Sequence, residues 1–285
     1  MGVPVTFTLK LKAVPKVLVD ARWVSPDRFA DRAIDEIKKF RVLEGGWETT
    51  VGELFEVIGP EKAPADPKEI DIVIEGSTSK ICYIGYKMSG GRIVIRGDAG
   101  HFIGYKMRGG VIMIHGSVRN YLGCKMKDGI IEVFGNAGHR VGSKLQGEKP
   151  GKGMKKGSIV IHGNAGSEVG LGMTGGTIVV EKSAGNLVGS SMTGGTIVVK
   201  EGAGLYPGLE MLGGRIVIGG VVKGILPSFY VDSYIPLLKV RGMEFKKPFL
   251  SFIGDAVVGG RGFLQISYED NKSLLEFYKS LVEEV

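Results

Sequence analysis

Residues 85–97 read GYKMSGGRIVIRG, and residues 104–116 read GYKMRGGVIMIHG. The phrase keeps returning. Met88, Met107, Met126, Met154, Met173, Met192 and Met211 stand 19, 19, 28, 19, 19 and 19 residues apart. A glycine precedes the methionine by three at Gly85, Gly104, Gly123, Gly170, Gly189 and Gly208, and Gly142 takes that part before an insertion of nine residues. Another follows by three at Gly91, Gly110, Gly129, Gly157, Gly176, Gly195 and Gly214. Each repeat then carries a short apolar run: RIVIR, VIMIH, IIEVF, SIVIH, TIVVE, TIVVK and RIVIG. The second position is always isoleucine, from Ile93 to Ile216, and the fourth is Ile or Val. Alternate residues of a strand share a face, so two columns of β-branched side chains point one way. A strand this short cannot bury itself, so successive repeats must stack. Nineteen residues are too few for a strand–helix–strand unit, which needs ~30. The pattern predicts a mainly β chain: a right-handed parallel β-helix, or solenoid, of about seven to eight coils with small α/β caps at both ends. The methionines are expected to fill its interior.

Working outward, the repeat defines three domains: an N-terminal α/β cap over 1–69, the repeat domain over 70–220, and a C-terminal tail with a capping helix over 221–285. Ile72, Ile74 and Gly76 make an irregular first coil. A strand is expected at Val5 to Leu11. A helix is expected from Ser25 as N-cap, with Phe29, Ala33, Ile34 and Ile37 on its apolar face. Proline-rich residues 60–70 link to the repeats. Residues 221–270, with Pro227, Pro236 and Pro248, read as irregular. A last amphipathic helix is expected over 271–284, with Leu274, Phe277, Tyr278 and Leu281 on one face.

The whole chain has 285 residues, 47 of them glycine, a formal charge of +7 and a pI near 9.2. This is a globular balance with too much glycine, and without the collagen period the glycine fits repeated turns. The basic balance weakly favours an acidic partner; nucleic acid is not expected. Two glutamines and five asparagines, beside abundant Lys and Glu, point to a thermophilic source. No window approaches the ~18 apolar residues of a membrane span. The opening MGVPVTFTLKLK has no apolar signal region, which argues for the cytoplasm. Cys82 and Cys124 cannot build a disulfide scaffold.

Two surfaces stand out. The third strand position, expected to face outward, reads Val94, Met113, Glu132, Val160, Val179, Val198 and Val217. Six apolar residues there mark either a face covered by the C-terminal tail or a protein interface. Lys87, Lys106 and Lys125 precede the methionine, and Arg108, Lys127 and Lys155 follow it. Aligned repeats would make them a basic ridge, either a solvated face or a contact for an acidic subunit or carboxylated ligand. The Gly/Lys-rich insertion between Gly142 and Met154 is expected to touch a partner or ligand.

No catalytic or metal site is expected. His101 and His139 share one column, His115 and His162 another, with no converging third ligand. Ladder hydrogen bonds at a corner suit them better. There is no GxxxxGK[ST] loop and no GxSxG elbow. The glycines do not form one GxGxxG between a strand and a helix.

The repeated GxxGxxMxGGxIxIxG pattern resembles the GXGXG domain that ends the large subunit of glutamate synthase and forms the C subunit of formylmethanofuran dehydrogenase. SPDRFADRAIDEI (25–37), GGW (45–47) and VGELFEVIG (51–59) resemble the leader of the second family. VGSKLQGEKPGKGMKKGSIVIHGNAG (141–166) resembles its interrupted coil, and GILPSF (224–229) its exit. The resemblance covers residues 20–255 and implies an archaeal, cytoplasmic, non-catalytic assembly subunit. The complex would reversibly reduce carbon dioxide to formylmethanofuran, as in methanogenesis. The implied partners are a pterin-metal subunit with molybdenum or tungsten and an iron–sulfur cluster, and an amidohydrolase-like subunit with its own metals; this chain would carry no cofactor. It also implies a carboxylated carrier tail for Lys87, Lys106, Lys125 and Arg108. The alternatives are the C subunit of a formyltransferase/hydrolase complex and a stand-alone glutamate-synthase-like scaffold. The exposed apolar face leaves self-association open for the isolated chain.

Overall fold

The computed structural model describes residues 4–283 and divides into two compact units. The first is Met1–Gly138 with Gly157–His162; the second is His139–Lys156 with Gly163–Val285.

In the first unit the strands lie in the order Phe55–Ile58, Val5–Leu11, Ile70–Glu75, Arg92–Arg96, Val111–Ile114, Ile130–Val133 and Ser158–Ile161. All pairs are parallel except the first. The register is the one the periodicity requires: Ile72, Ile93, Ile112, Ile131 and Ile159 are partners in turn. In the second unit the order is Thr177–Val180, Thr193–Val199, Gly213–Ile218, Gly262–Ser267, Phe249–Gly254 and Tyr230–Ile235. Its last two pairs are antiparallel.

The expectation of a right-handed parallel β-helix needs correction. The chain is mainly β, but thirteen strands form one large mixed, mostly parallel sheet, and no closed or solenoid sheet accompanies it among the described residues. The reason is local. Each repeat gives one strand to the large sheet, and only a few add a second short one, as at Ile81–Cys82, Ala203–Leu205 and Val222–Gly224. The rest turns through left-handed backbone at alternate residues, as at Tyr83, Gly85 and Lys87 or at Phe102, Gly104 and Lys106. Such residues cannot continue a strand. Elsewhere successive repeats are joined by single backbone hydrogen bonds, such as Tyr83 N–H to His101 O and Gly104 N–H to Ile84 O, by isolated bridges, Thr78–Ala99–Val118–Ala137 in the first unit and Ala165–Ala184–Ala203 in the second, and by the short parallel pair of Ala203–Leu205 with Val222–Gly224. The flanks then add antiparallel strands that the repeat does not contain.

The interior follows the sequence closely. All seven repeat methionines are fully buried. The glycines explain how they fit. A Cβ on Gly110 would stand 2.6 Å from Met88 Cε, and one on Gly129 would stand 2.7 Å from Met107 Cε. At Gly110, Gly129, Gly157, Gly195 and Gly214 the glycine before the strand is thus the floor on which the methionine of the preceding repeat rests.

Two flanking expectations change. The helix expected from Ser25 is broken into Pro26–Phe29 and Ile34–Lys38. Asp31 is left-handed between them, and this segment bonds to the proline-rich link: Asp31 N–H donates to Pro64 O, and Ala63 N–H to Arg32 O. Residues 221–270, expected to be irregular, hold several strands. Of these, Gly262–Ser267 extends the parallel ladder by placing Leu264 beside Ile216 and Ile266 beside Ile218. The last helix is Lys272–Glu283; residue 284 lies outside the described residues.

Candidate interaction surface

The outward strand column takes two different forms. In the second unit Val179, Val198 and Val217 are buried. Val198 and Val217 pack in a cluster with Leu238, Val240 and Phe249, flanked by Ile235, Met243 and Phe245. The cover is a hairpin of Leu238–Val240 and Met243–Phe245. Burying each valine stabilises this arrangement by about 1.5–3 kcal/mol. In the first unit Val94, Met113, Glu132 and Val160 are only half-buried, and no hairpin of the described residues lies over them. Beside them Ile130 is 48% exposed and Phe134 43%. This half of the column is a bare apolar face with Glu132 in its middle.

A polar and aromatic rim borders that face. Phe134 is stacked between His115 and His162, with centroids 5.1 and 5.0 Å away. His162 Nε2 lies 2.8 Å from Glu132 Oε1. At the two ends of Arg92–Arg96, Arg92 pairs with the nearly buried Asp71, and Arg96 with Glu75 at 2.9 Å.

The lysine column is aligned as the repeat requires. Lys87, Lys106 and Lys125 all occupy the left-handed region, and Lys87 N–H donates to Tyr105 O and Lys106 N–H to Cys124 O. Arg108 and Lys127 form a neighbouring exposed column. The ridge also holds an aromatic ladder that spacing alone does not reveal as one. Tyr83, Phe102 and Tyr121 are stacked at 4.8 and 4.5 Å, and Tyr86 on Tyr105 at 5.6 Å. Lys87 and Lys106 lie over Tyr86 and Tyr105 at 5.0 and 4.9 Å, and Arg22 lies over Tyr83 at 4.5 Å. The signal in the sequence is an aromatic residue two before Gly85, Gly104 and Gly123.

Next to the ladder is an open cavity of about 390 Å³, lined by Leu18, Leu43, Cys82, Tyr83, His101 and Phe102 among others. Burial pushes the Cys82 thiol and the Tyr83 hydroxyl up, so neither is ionised at neutral pH. Burial, then the nearby Arg119, hold His101 below its usual value, which favours the neutral imidazole.

The corner columns make hydrogen-bond ladders. In the first unit Asp98 Oδ1 accepts from Ser117 N–H, and Ser117 Oγ from Asn136 N–H. In the second, His139 Nδ1 accepts from Ser167 N–H, Ser167 Oγ from Asn186 N–H, and Asn186 Oδ1 from Leu205 N–H. Each short side chain satisfies a backbone donor that the strands leave free. Among the described residues no three His, Cys, Asp or Glu side chains are grouped to hold a metal ion, and no helix is long and apolar enough to cross a membrane.

No family model matches the chain. Among curated proteins, it is 39% identical over 88 residues to the C subunit of tungsten-containing formylmethanofuran dehydrogenase 2 from Methanothermobacter wolfeii, a match of 30% of this chain and 32% of that protein. It is 37% identical over 94 residues to the C subunit of molybdenum-containing formylmethanofuran dehydrogenase 1 from Methanothermobacter marburgensis, covering 33% of this chain and 22% of the relative. The chain thus matches a third or less of the length of these relatives. Among solved structures, it is similar to a chain of the formyltransferase/hydrolase complex of Methylorubrum extorquens, crystallised with methylofuran. That match has a TM-score of 0.77 at 25% identity and covers 91% of this chain and 99% of the other.

Proposed function

We propose that this chain, a homologue of the formylmethanofuran dehydrogenase C subunit over the matched segment, is a non-catalytic assembly subunit of a formylmethanofuran-processing complex. The observation that supports it is the bare half of the outward face. Val94, Met113, Val160, Ile130 and Phe134 are accessible to a partner where the equivalent valines of the second unit lie beneath the chain's own hairpin. Contiguous exposed apolar area is costly in water unless a partner covers it. In this reading the chemistry, the pterin-bound molybdenum or tungsten, the iron–sulfur cluster and the hydrolase metals belong to the partners.

A second reading is favoured by the solved structure that matches nearly the whole chain. There the chain would serve a formyltransferase/hydrolase complex without redox chemistry. Anaerobic purification from the source, with mass spectrometry and elemental analysis, separates the two. A pterin-metal subunit with tungsten or molybdenum supports the dehydrogenase. Formyltransferase and amidohydrolase partners without either metal support the hydrolytic complex. A chain that elutes alone overturns both. The lysine ridge is assigned to a carboxylated carrier tail. Replacing Lys87, Lys106 and Lys125 by alanine should then raise the apparent KM for the carrier in the intact complex, and an unchanged KM at every ionic strength would sink that assignment.

A further inference from the structure

The nine inserted residues leave the second unit's register undisturbed. Met154 N–H donates to Gly142 O at 2.9 Å, as Met173 N–H does to Gly170 O at 3.0 Å in an uninterrupted repeat. The loop is therefore extruded from a finished repeat rather than spliced into it. It is also pinned. Arg140 donates to both carboxylate oxygens of Glu168 at 2.6 and 3.4 Å and to Gln146 Oε1 at 3.2 Å. Lys144 Nζ donates to Glu148 O at 2.6 Å, and Leu145 N–H to Glu148 Oε2 at 2.9 Å. At the exit, Gly153 N–H donates to Gly172 O. Left-handed Gly151 brings the tip down near Thr174 and Thr193.

The pinning uses the acids of the segment and leaves four cations over. Glu168 is engaged with Arg140, and Glu148 is turned toward Leu145. Lys149 and Lys152 in the loop, and Lys155 and Lys156 in the repeat turn that follows Met154, are all exposed, and none has an ion pair among the described residues. Four like charges within eight residues concentrate positive potential on this segment. A segment held rigid in that state is preorganised for an anionic partner, because its ordering cost is already met by the unit's own hydrogen bonds.

We infer that this loop is an electrostatic docking element for an acidic protein surface on a partner subunit, an inference that rests on the assembly reading above. Protein is favoured over nucleic acid by the chemistry of the loop. It has no exposed aromatic ring for base stacking and no arginine free for bidentate phosphate contact, since Arg140 is bound to Glu168. Lysines spaced along a fixed turn instead suit dispersed carboxylates. Such contacts set association rate and orientation.

The test uses the native complex, captured through a tag on this chain, with Lys149, Lys152, Lys155 and Lys156 replaced together by glutamine. Mass photometry follows dissociation from about 50 to about 500 mM NaCl. The wild-type complex should loosen as salt rises; the variant should bind about tenfold more weakly at low salt and respond little to salt. A matching set of arginine replacements should restore both, and the isolated variant should melt as the wild type does, since all four side chains are exposed. Equal affinity and equal salt response in the variant would overturn the inference and leave the assembly reading standing. A wild-type chain that captures no partner subunit would overturn both. Lysine-dependent binding of the isolated chain to a single-stranded 20-nucleotide DNA (about the size of a few stacked sites) would overturn the choice of protein as partner.

Discussion

The two units present the same outward strand column to different surroundings. In the second, Val198 and Val217 are buried under Leu238, Val240 and Phe249. In the first, Val94, Met113 and Val160 stay half-open beside an exposed Phe134. The repeats that carry them are nearly interchangeable in sequence. The difference teaches that the strand repeat alone does not decide whether this apolar column is covered. The chain closes one stretch of it with its own tail and leaves the other half-open.

The inward side offers the control. Met126 in the first unit and Met173 in the second are equally buried. Aspartate at either position should destabilise its unit by more than about 4 kcal/mol, because the carboxylate has no partner inside. Loss of the urea transition or an insoluble product would show it. A variant that stays soluble with unchanged melting would show that the methionines are not the filling of the repeat. If only one of the pair collapsed, the interiors would differ as much as the exteriors.

The outward faces should respond unequally. Val198→Glu buries a charge under the hairpin and should cost about 3 kcal/mol or more. Val160→Glu should cost the isolated chain less than about 1 kcal/mol, since its site is open to water. Urea titration of both variants checks this, and equal losses would erase the distinction between the halves. The order should reverse in the complex. Val160→Glu is expected to weaken subunit association about tenfold, measured by co-purification and mass photometry, as a charge does in the apolar part of an interface.

The smallest effect is a pH response confined to the first unit. His101, at the cavity wall, is held below its usual value of 6.5 by burial and then by Arg119. The unfolded chain therefore binds the proton more readily than the folded one. Stability should be fully present above 6.5 and should decline as the pH falls below it. His101→Asn should flatten that decline in thermal melts recorded across this interval. An unaltered profile would assign the acid sensitivity to other groups.

Much of this is legible in the chain alone. The 19-residue spacing places Ile93, Ile112, Ile131 and Ile159 in register, and they are partners in the sheet. The same spacing aligns Lys87 and Lys106 at equivalent left-handed corners, and the aromatic residues stacked beside them follow the same count. The sheet architecture is not legible in this way. A period counts the residues of a repeat but not how many of them are extended, and the left-handed corners keep most of each repeat out of the large sheet. The tail escapes for another reason. GFLQIS (262–267) carries no GxxGxxM phrase, yet Leu264 and Ile266 continue the inward columns. The break after Phe29 is also hidden, because the helical spacing of Phe29, Ala33 and Ile37 holds only if the backbone stays helical through Asp31.

The sequence by itself determined what recurs: the inward isoleucines, the buried methionines, the glycines that admit them and the aligned cations. These depend on neighbours one repeat away, so their rule is written locally and repeatedly. Only the tertiary structure decided which stretch of the outward column is closed and by what. That closure brings Leu238 and Val240 onto Val198 and Val217 from a stretch with no periodic signature. The gain comes from burying apolar area, which is non-directional and blind to sequence distance. No such stretch of the described residues reaches the first unit's face, where Val94, Met113 and Val160 stay half-buried.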